Sequence, residues 1–314
     1  MTELTQNRTH AQAPAGAKAR AKARREGGSP HPWYFIVPAF AVLGVFFVLP
    51  TLFNFVYPFT TWSAFTPVIK YAGLENFRSV VADGTLFSAL KITLTYAAVV
   101  AVLQNLFGLL LALLLERDTF LNRVARVFFF FPVLISALAA GYIFQALLKP
   151  NGAFNQVLGF VLGHDVSTAW LGSTTWTIVV VSLVHAWKWM GLSMLVYLAG
   201  LKSVPGDVVE AARIDGASRW QVFRHVKFPL LAPAVTFNAA TALLGTMNGF
   251  DIVQATTAGG PARSTEVLNI FIFRTFGSGL YAQATTMSLV LFLVVVILAV
   301  PVVTYLRHRE KVLG

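Results

Sequence analysis

The sequence predicts an all-α membrane protein of six transmembrane helices, with a short amphipathic helix in the loop between the fourth and fifth. Three observations carry that expectation. The 314-residue chain is 56% hydrophobic and only 12% charged, with a mean hydropathy of +0.68, whereas a soluble domain carries about 25% charged residues. Six apolar stretches each reach the roughly 20 residues needed to cross a hydrocarbon core. Lys and Arg are plentiful in alternate loops and sparse in the others.

Residues 1–32 hold a basic cluster, Lys18, Arg20, Lys22, Arg24 and Arg25, and almost nothing to bury. Such a segment is expected to be a disordered tail. A basic stretch before an apolar one also fits a signal peptide. Here the apolar run of 33–55 exceeds a typical h-region and no small-residue cleavage site follows, so it reads as a retained first span. The expected spans are 34–55, 90–115, 124–147, 175–198, 231–253 and 286–306, within one domain over 33–310. Pro38 and Pro50 lie inside the first span, where neighbouring helices can satisfy the freed carbonyls.

Orientation follows from the basic residues. The N-terminal tail, the loop after the second span, the loop after the fourth and the C-terminus together hold seventeen of the 24 Lys and Arg. Both termini and the 201–229 loop are therefore expected in the cytoplasm of a multi-pass cell-membrane protein. This placement accounts for the net charge of +11 without nucleic acid as a partner. The chain has no cysteine, and its six histidines show no metal-ligand spacing, so neither thiol chemistry nor a metal site is expected. The segments 57–89, 149–174 and 254–283 face the outside in this topology. No internal repeat is visible.

The 201–229 loop is unusually polar for a short membrane loop. Val204-Pro205-Gly206-Asp207 starts a helix, because Pro in a first turn costs little and Asp207 suits the positive helix end. Glu210-Ala211-Ala212-Arg213-Ile214 continues it, Gly216 permits reversal, and Ser218 can cap a second helix that runs to Pro229. On pattern alone this helix either lies on lipid headgroups or presents its small alanines and charges to a partner.

The loop resembles the signature of binding-protein-dependent ABC importer permeases: EAA, three residues, G, nine residues, I, one residue, LP. Here Glu210-Ala211-Ala212 and Gly216 precede Val226, Lys227, Phe228 and Pro229, with Val for Ile and Phe for Leu at unchanged spacing. Further stretches resemble the sugar-uptake members. They include Tyr197-Leu198-Ala199-Gly200-Leu201, Ile214-Asp215-Gly216-Ala217, Gly73-Leu74-Glu75-Asn76-Phe77, Phe250-Asp251, Gly259-Gly260-Pro261 and Thr265-Glu266. The Gly-Gly-Pro segment is similar to the maltose-permease-F-like half of a heterodimeric pair, in its six-span type. The resemblance implies a type I ABC importer permease fold and a coupling helix seated in an ATPase subunit. Glu210, Ala211, Ala212, Asp215, Gly216, Ala217 and Pro229 would form that coupling surface. It further implies a second homologous permease, two cytosolic ATPase subunits that hold ATP and Mg, and an extracytoplasmic solute-binding protein. Asp251, Gly259, Gly260 and Pro261 would meet that binding protein.

Ionisable groups at membrane depth are expensive and mark paths or pairs. His185 and Trp189 are four apart on one helix face, with Lys188 beside them, and the fifth span offers Asn238, Thr241, Thr246 and Asn248. An aromatic ring among polar donors suits a sugar. His185, Lys188, Trp189 and Thr246 are the expected substrate-path residues, although small and polar side chains also join transmembrane helices, and Lys188 could instead pair with Asp251 or with a carboxylate of a partner. No Gly-x-x-x-x-Gly-Lys phosphate loop is present, so ATP hydrolysis belongs to another polypeptide and the chain itself needs no cofactor and is no enzyme. The sequence leaves the carried solute open among sugars, glycerol phosphate and other polyols. An ion-coupled secondary transporter would want acidic residues within its spans, and only Asp251 lies near one.

Overall fold

The computed structural model describes residues 33–82 and 84–313, with side chains from residue 34 to residue 308. The expected basic tail over 1–32 lies outside them. The helices are α1 (Val37–Phe59), α2 (Glu75–Ala82), α3 (Thr85–Leu114), α4 (Phe120–Leu134), α5 (Ala137–Leu147), α6 (Ala153–Leu162), α7 (Thr177–Ser203), α8 (Gly206–Ile214), α9 (Arg219–Leu230), α10 (Ala232–Met247), α11 (Asp251–Thr256), α12 (Leu268–Gly277) and α13 (Tyr281–Leu313). The chain divides between Phe53 and Asn54 into two units. Among the described residues, the first holds the turn at Trp33–Phe35 and the leading turns of α1, with Pro38 in the first turn and a π-turn at Gly44–Val48. The second contains everything else.

Four helices are long and apolar enough to span a membrane unaided: α1, α3, α7 and α13. Two further spans are broken. Between α4 and α5 the axis turns by 98°, and between α9 and α10 by 67°. The expected continuous span at 124–147 is thus two pieces of 15 and 11 residues. Its break has a backbone cause: Pro132 removes a donor from the last turn of α4, and Ile135 and Ser136 are extended. The expected span at 231–253 likewise stops at Met247, and residues 248–250 separate it from the short α11.

α7 is the central element. It runs beside α3, and the two are joined by polar bridges in constant register: Tyr96 Oη to His185 Nδ1 at 2.6 Å and Gln104 Nε2 to Ser193 Oγ at 2.9 Å. Both pairs are offset by 89 residues, so the helices are parallel. Tyr197 Oη donates to Asn105 Oδ1 at 2.7 Å farther along. Close approach depends on Gly108, where a Cβ would lie 2.5 Å from the Ser193 Cβ. Where the hydrophobic effect between helices is weak, such packing and hydrogen bonding hold a bundle together. One buried cluster, with Tyr96, Val100, Val181 and Ile252, joins α3, α7 and α11. A second, with Met194, Tyr197, Leu201 and Leu231, joins α7 to α10 near the 204–230 loop.

Candidate functional site

A cavity of about 260 Å³ opens where α3, α5, α7, α10 and α11 meet. α7 contributes His185 and Trp189, and α3 contributes Gln104. Thr241, Gly245 and Asn248 come from α10 and its end, and Asp251 opens α11. The breaks in the spans expected to be continuous are what build this wall: Ala137 at the start of α5 and residues 248–252 line it directly. Irregular backbone at membrane depth is tolerated where it borders such a cavity.

Of the four expected path residues, His185 and Trp189 line the cavity. Lys188 and Thr246 are not among its lining residues. Lys188 is 2% exposed and donates to the carbonyls of Pro132, Val133 and Ile135 at 3.4, 3.2 and 2.7 Å. The alternative of a Lys188–Asp251 pair does not form among the described residues. The Thr246 hydroxyl is spent on the carbonyl of Ala242, one turn back. Asn238 turns the other way, to the Ser193 carbonyl at 3.2 Å. Gln104 is absent from the expected set, although the Gln104-Asn105 amide pair in a 30-residue apolar helix is a polar feature at membrane depth and signals a role.

Near Lys227, α8 and α9 form the helix-turn-helix anticipated for 201–229. α8 ends in a Schellman turn: Gly216 has φ +82°, and Ala217 N donates to Ala212 O at 3.0 Å. Ser218 and Gln221 form a reciprocal capping box at the start of α9. Pro205 stands just before α8, without a side-chain cap. Glu210, Ala211, Asp215 and Gly216 are exposed, and Ala212 and Ala217 are half-buried. Pro229, also half-buried, lies in α9. Ile214 is 81% and Trp220 64% exposed, an apolar component that the charge pattern did not announce. Glu210, Arg213 and Ile214 border an open groove of about 700 Å³ together with Glu116 and Lys227. The ammonium of Lys227 meets the Glu116 carboxylate at 2.5 Å and so ties this loop to the end of α3.

At the opposite end, Gly259, Gly260 and Pro261 belong to a tightly bonded turn. Thr265 Oγ1 donates to Gly260 O at 2.7 Å, and Gly260 N donates to Thr257 O at 2.9 Å. The buried Glu266 carboxylate is gripped by Arg263 and Arg274, and Arg274 also donates to Ala258 O. Asp251, grouped with this turn in the sequence, is exposed and borders the cavity.

Residues 104–310 match the family model described as "Binding-protein-dependent transport system inner membrane component". This chain belongs to that family. Among curated relatives, this inner membrane component is 31% identical to the probable starch degradation products transport system permease protein AmyD of Thermoanaerobacterium thermosulfurigenes, over 89% of this chain and 94% of that one. It is 29% identical to the multiple sugar-binding transport system permease protein MsmF of Streptococcus mutans, over 85% and 92%. Among solved structures, it superposes on a chain of a bacterial alginate ABC transporter in complex with alginate pentasaccharide-bound periplasmic protein. The TM-score is 0.74 at 21% identity, covering 89% of this chain and 93% of that one. The fold is thus that of an ABC importer permease.

Proposed function

We propose that this inner membrane component is one permease of an ABC importer for an uncharged sugar. The observation that carries the reading is the composition of the cavity. It offers an aromatic ring, Trp189, with the polar groups of His185, Gln104, Thr241, Asn248 and Asp251 around it, and no Lys or Arg among its described lining residues. A ring face stacks on indole, and sugar hydroxyls exchange hydrogen bonds with amides and a carboxylate. Glycerol phosphate would want a cation there, so a neutral sugar fits better than a phosphorylated polyol. The names of AmyD and MsmF support the same solute class.

The cavity is small beside the roughly 300–1,000 Å³ of typical small-molecule sites, which suits one half of a path completed by a second, homologous permease. In this reading both termini and the α8–α9 loop face the cytoplasm. There α8 seats its exposed Ile214, with Glu210 and Arg213 beside it, on one of two ATPase subunits that bind ATP and Mg. The Gly259–Glu266 turn faces outward, toward a solute-binding protein. ATP binding draws the ATPases together, α8 follows, and the Lys227–Glu116 tie passes that displacement to α3. Only unequal affinity of ATP and of the loaded binding protein for the two states shifts the equilibrium.

The test is reconstitution of the assembled complex in vesicles, with ligands first found by screening the cognate binding protein. ATP-dependent uptake of a neutral sugar is expected. Uptake by this chain without any ATPase would instead make it a secondary transporter, and chemical turnover by the isolated chain would make it an enzyme.

A further inference from the structure

Lys188 is a buried cation with no acidic partner among the described residues. Its ammonium donates to three carbonyls at the broken end of α4, those of Pro132, Val133 and Ile135, and sits 4.6 Å from the ring centroid of Trp189. The last four carbonyls of a helix have no intrahelical partner. At the end of α4, Pro132 O accepts from Ile135 N at 3.2 Å, and at membrane depth water cannot satisfy the carbonyls left over. A positive charge there also complements the negative end of the helix dipole.

A second contact fixes the same stretch. Gly191, one turn along α7, lies so close to α4 that a Cβ would stand 2.2 Å from Phe129 O. α7 thus grips α4 at two successive points just before the chain turns by 98° into α5. Beyond the turn, the chain forms part of the cavity wall. Ala137 lines the cavity, Gly141 packs on Ala255 of α11, and Gln145 Nε2 donates to Thr256 O at 3.2 Å. Asp251 and Ile252, at the start of α11, line the cavity too.

We infer that Lys188 is a positioning residue for transport: its ammonium holds the α4–α5 break open at a fixed angle and thereby sets the α5–α11 wall of the cavity. Lys188 is not itself among the residues that line the cavity. This rests on the reading of the cavity as the transport path, and the test separates the two.

The chain has no cysteine, so Ala137→Cys in the assembled transporter, with the partner subunits also made cysteine-free, reports the wall through its rate of labelling by a small water-soluble thiol reagent. In that background, Lys188→Met is expected to change the labelling rate at least fivefold. In the cysteine-free wild type, Lys188→Met lowers maximal uptake at least tenfold while leaving KM for the loaded binding protein within twofold. Lys188→Gln keeps carbonyl donors without the charge and should restore at least half of both readouts. Unchanged labelling in Lys188→Met overturns the inference, and so does a raised KM at unchanged maximal uptake, which would make Lys188 a substrate ligand. If Lys188→Met does not assemble, Lys188→Gln decides: a measurably shifted labelling rate in the assembled complex supports the role of the ammonium, and a rate equal to that of the wild type refutes it. Should the wild type carry no sugar at all, the transport reading fails, while the labelling still judges Lys188.

Discussion

Gly216 offers the cleanest perturbation of the proposed coupling surface. Its φ of +82° lies in the left-handed region, and a Cβ built on it meets nothing within 4 Å. Any penalty of substitution within the chain is therefore backbone strain and not a clash. A β-branched residue there costs roughly 1–2 kcal/mol, which lowers the population of the α8–α9 turn by about 5- to 30-fold, at tenfold per 1.4 kcal/mol. Asn is of similar bulk yet tolerates this region far better. The expected order of coupled uptake is wild type, then Gly216→Asn, then Gly216→Ala, with Gly216→Val lowest. ATP hydrolysis in Gly216→Val should persist while uptake falls, because the ATPases still turn over but α8 no longer follows them in one geometry. The assay is parallel measurement of ATP hydrolysis and uptake in reconstituted vesicles, with subunit stoichiometry checked first. If Asn fails as badly as Val, crowding of the docked partner is at work and the strain argument is wrong. If Val transports at the wild-type rate, the turn does not transmit force at all.

Three further outcomes are expected. Trp189→Ala removes the aromatic platform and should raise KM for uptake a few-fold to about tenfold, and unchanged uptake and substrate-stimulated ATP hydrolysis would show that the ring does not face the path. Lys227→Glu should reduce coupled uptake and the double variant Glu116→Lys/Lys227→Glu should recover much of it, as a directly interacting pair requires; no recovery would mean that the 2.5 Å contact carries no coupling. Glu266→Gln leaves two arginines without their shared carboxylate and should cost about 1–3 kcal/mol, less than a fully buried pair because both guanidinium groups are half exposed. Thermal unfolding in detergent measures it, and an unshifted midpoint would remove the clamp from the account of the 257–267 turn.

Much of the fold was legible because lipid imposes simple rules. The apolar runs that became α3, α7 and α13 are long and uninterrupted, and the α8–α9 turn carries its own signals in Gly216 and the Ser218–Gln221 capping box. The breaks were less visible. Pro132 alone does not distinguish a kink from a 98° turn, since Pro38, Pro50 and Pro301 all lie in helix that continues. The turn at residues 135–136 depends on Lys188, 53 residues away from Ile135, and no local pattern reports a donor that distant. The same lack of tertiary direction in the sequence hides that Lys188 and Thr246 are not among the residues lining this cavity. Both share a span with true lining residues, but which hydroxyl or ammonium faces a cavity is decided by packing on the other side of the helix.

The places where continuous helix fails are also the places where the cavity is made. α4 stops at Leu134 and α5 starts at Ala137; α10 stops at Met247 and α11 starts at Asp251. Ala137, Asn248 and Asp251 all border the cavity. A bundle of six uninterrupted helices would bury its backbone within each rod and offer a solute only side chains. Breaking two rods and packing the resulting short helices α5 and α11 against each other makes one continuous wall, joined by the close Gly141–Ala255 approach and by Gln145 Nε2 on Thr256 O. The unbroken pair α3 and α7 faces that wall, held in register by Tyr96–His185 and Gln104–Ser193. Both His185 and Gln104 also line the cavity, so the rigid side presents its groups from fixed positions. In the proposed path, alternating access then asks that the two walls move relative to each other as pieces: the same polar groups must close on a solute in one state and release it in the other, with each wall keeping its own geometry.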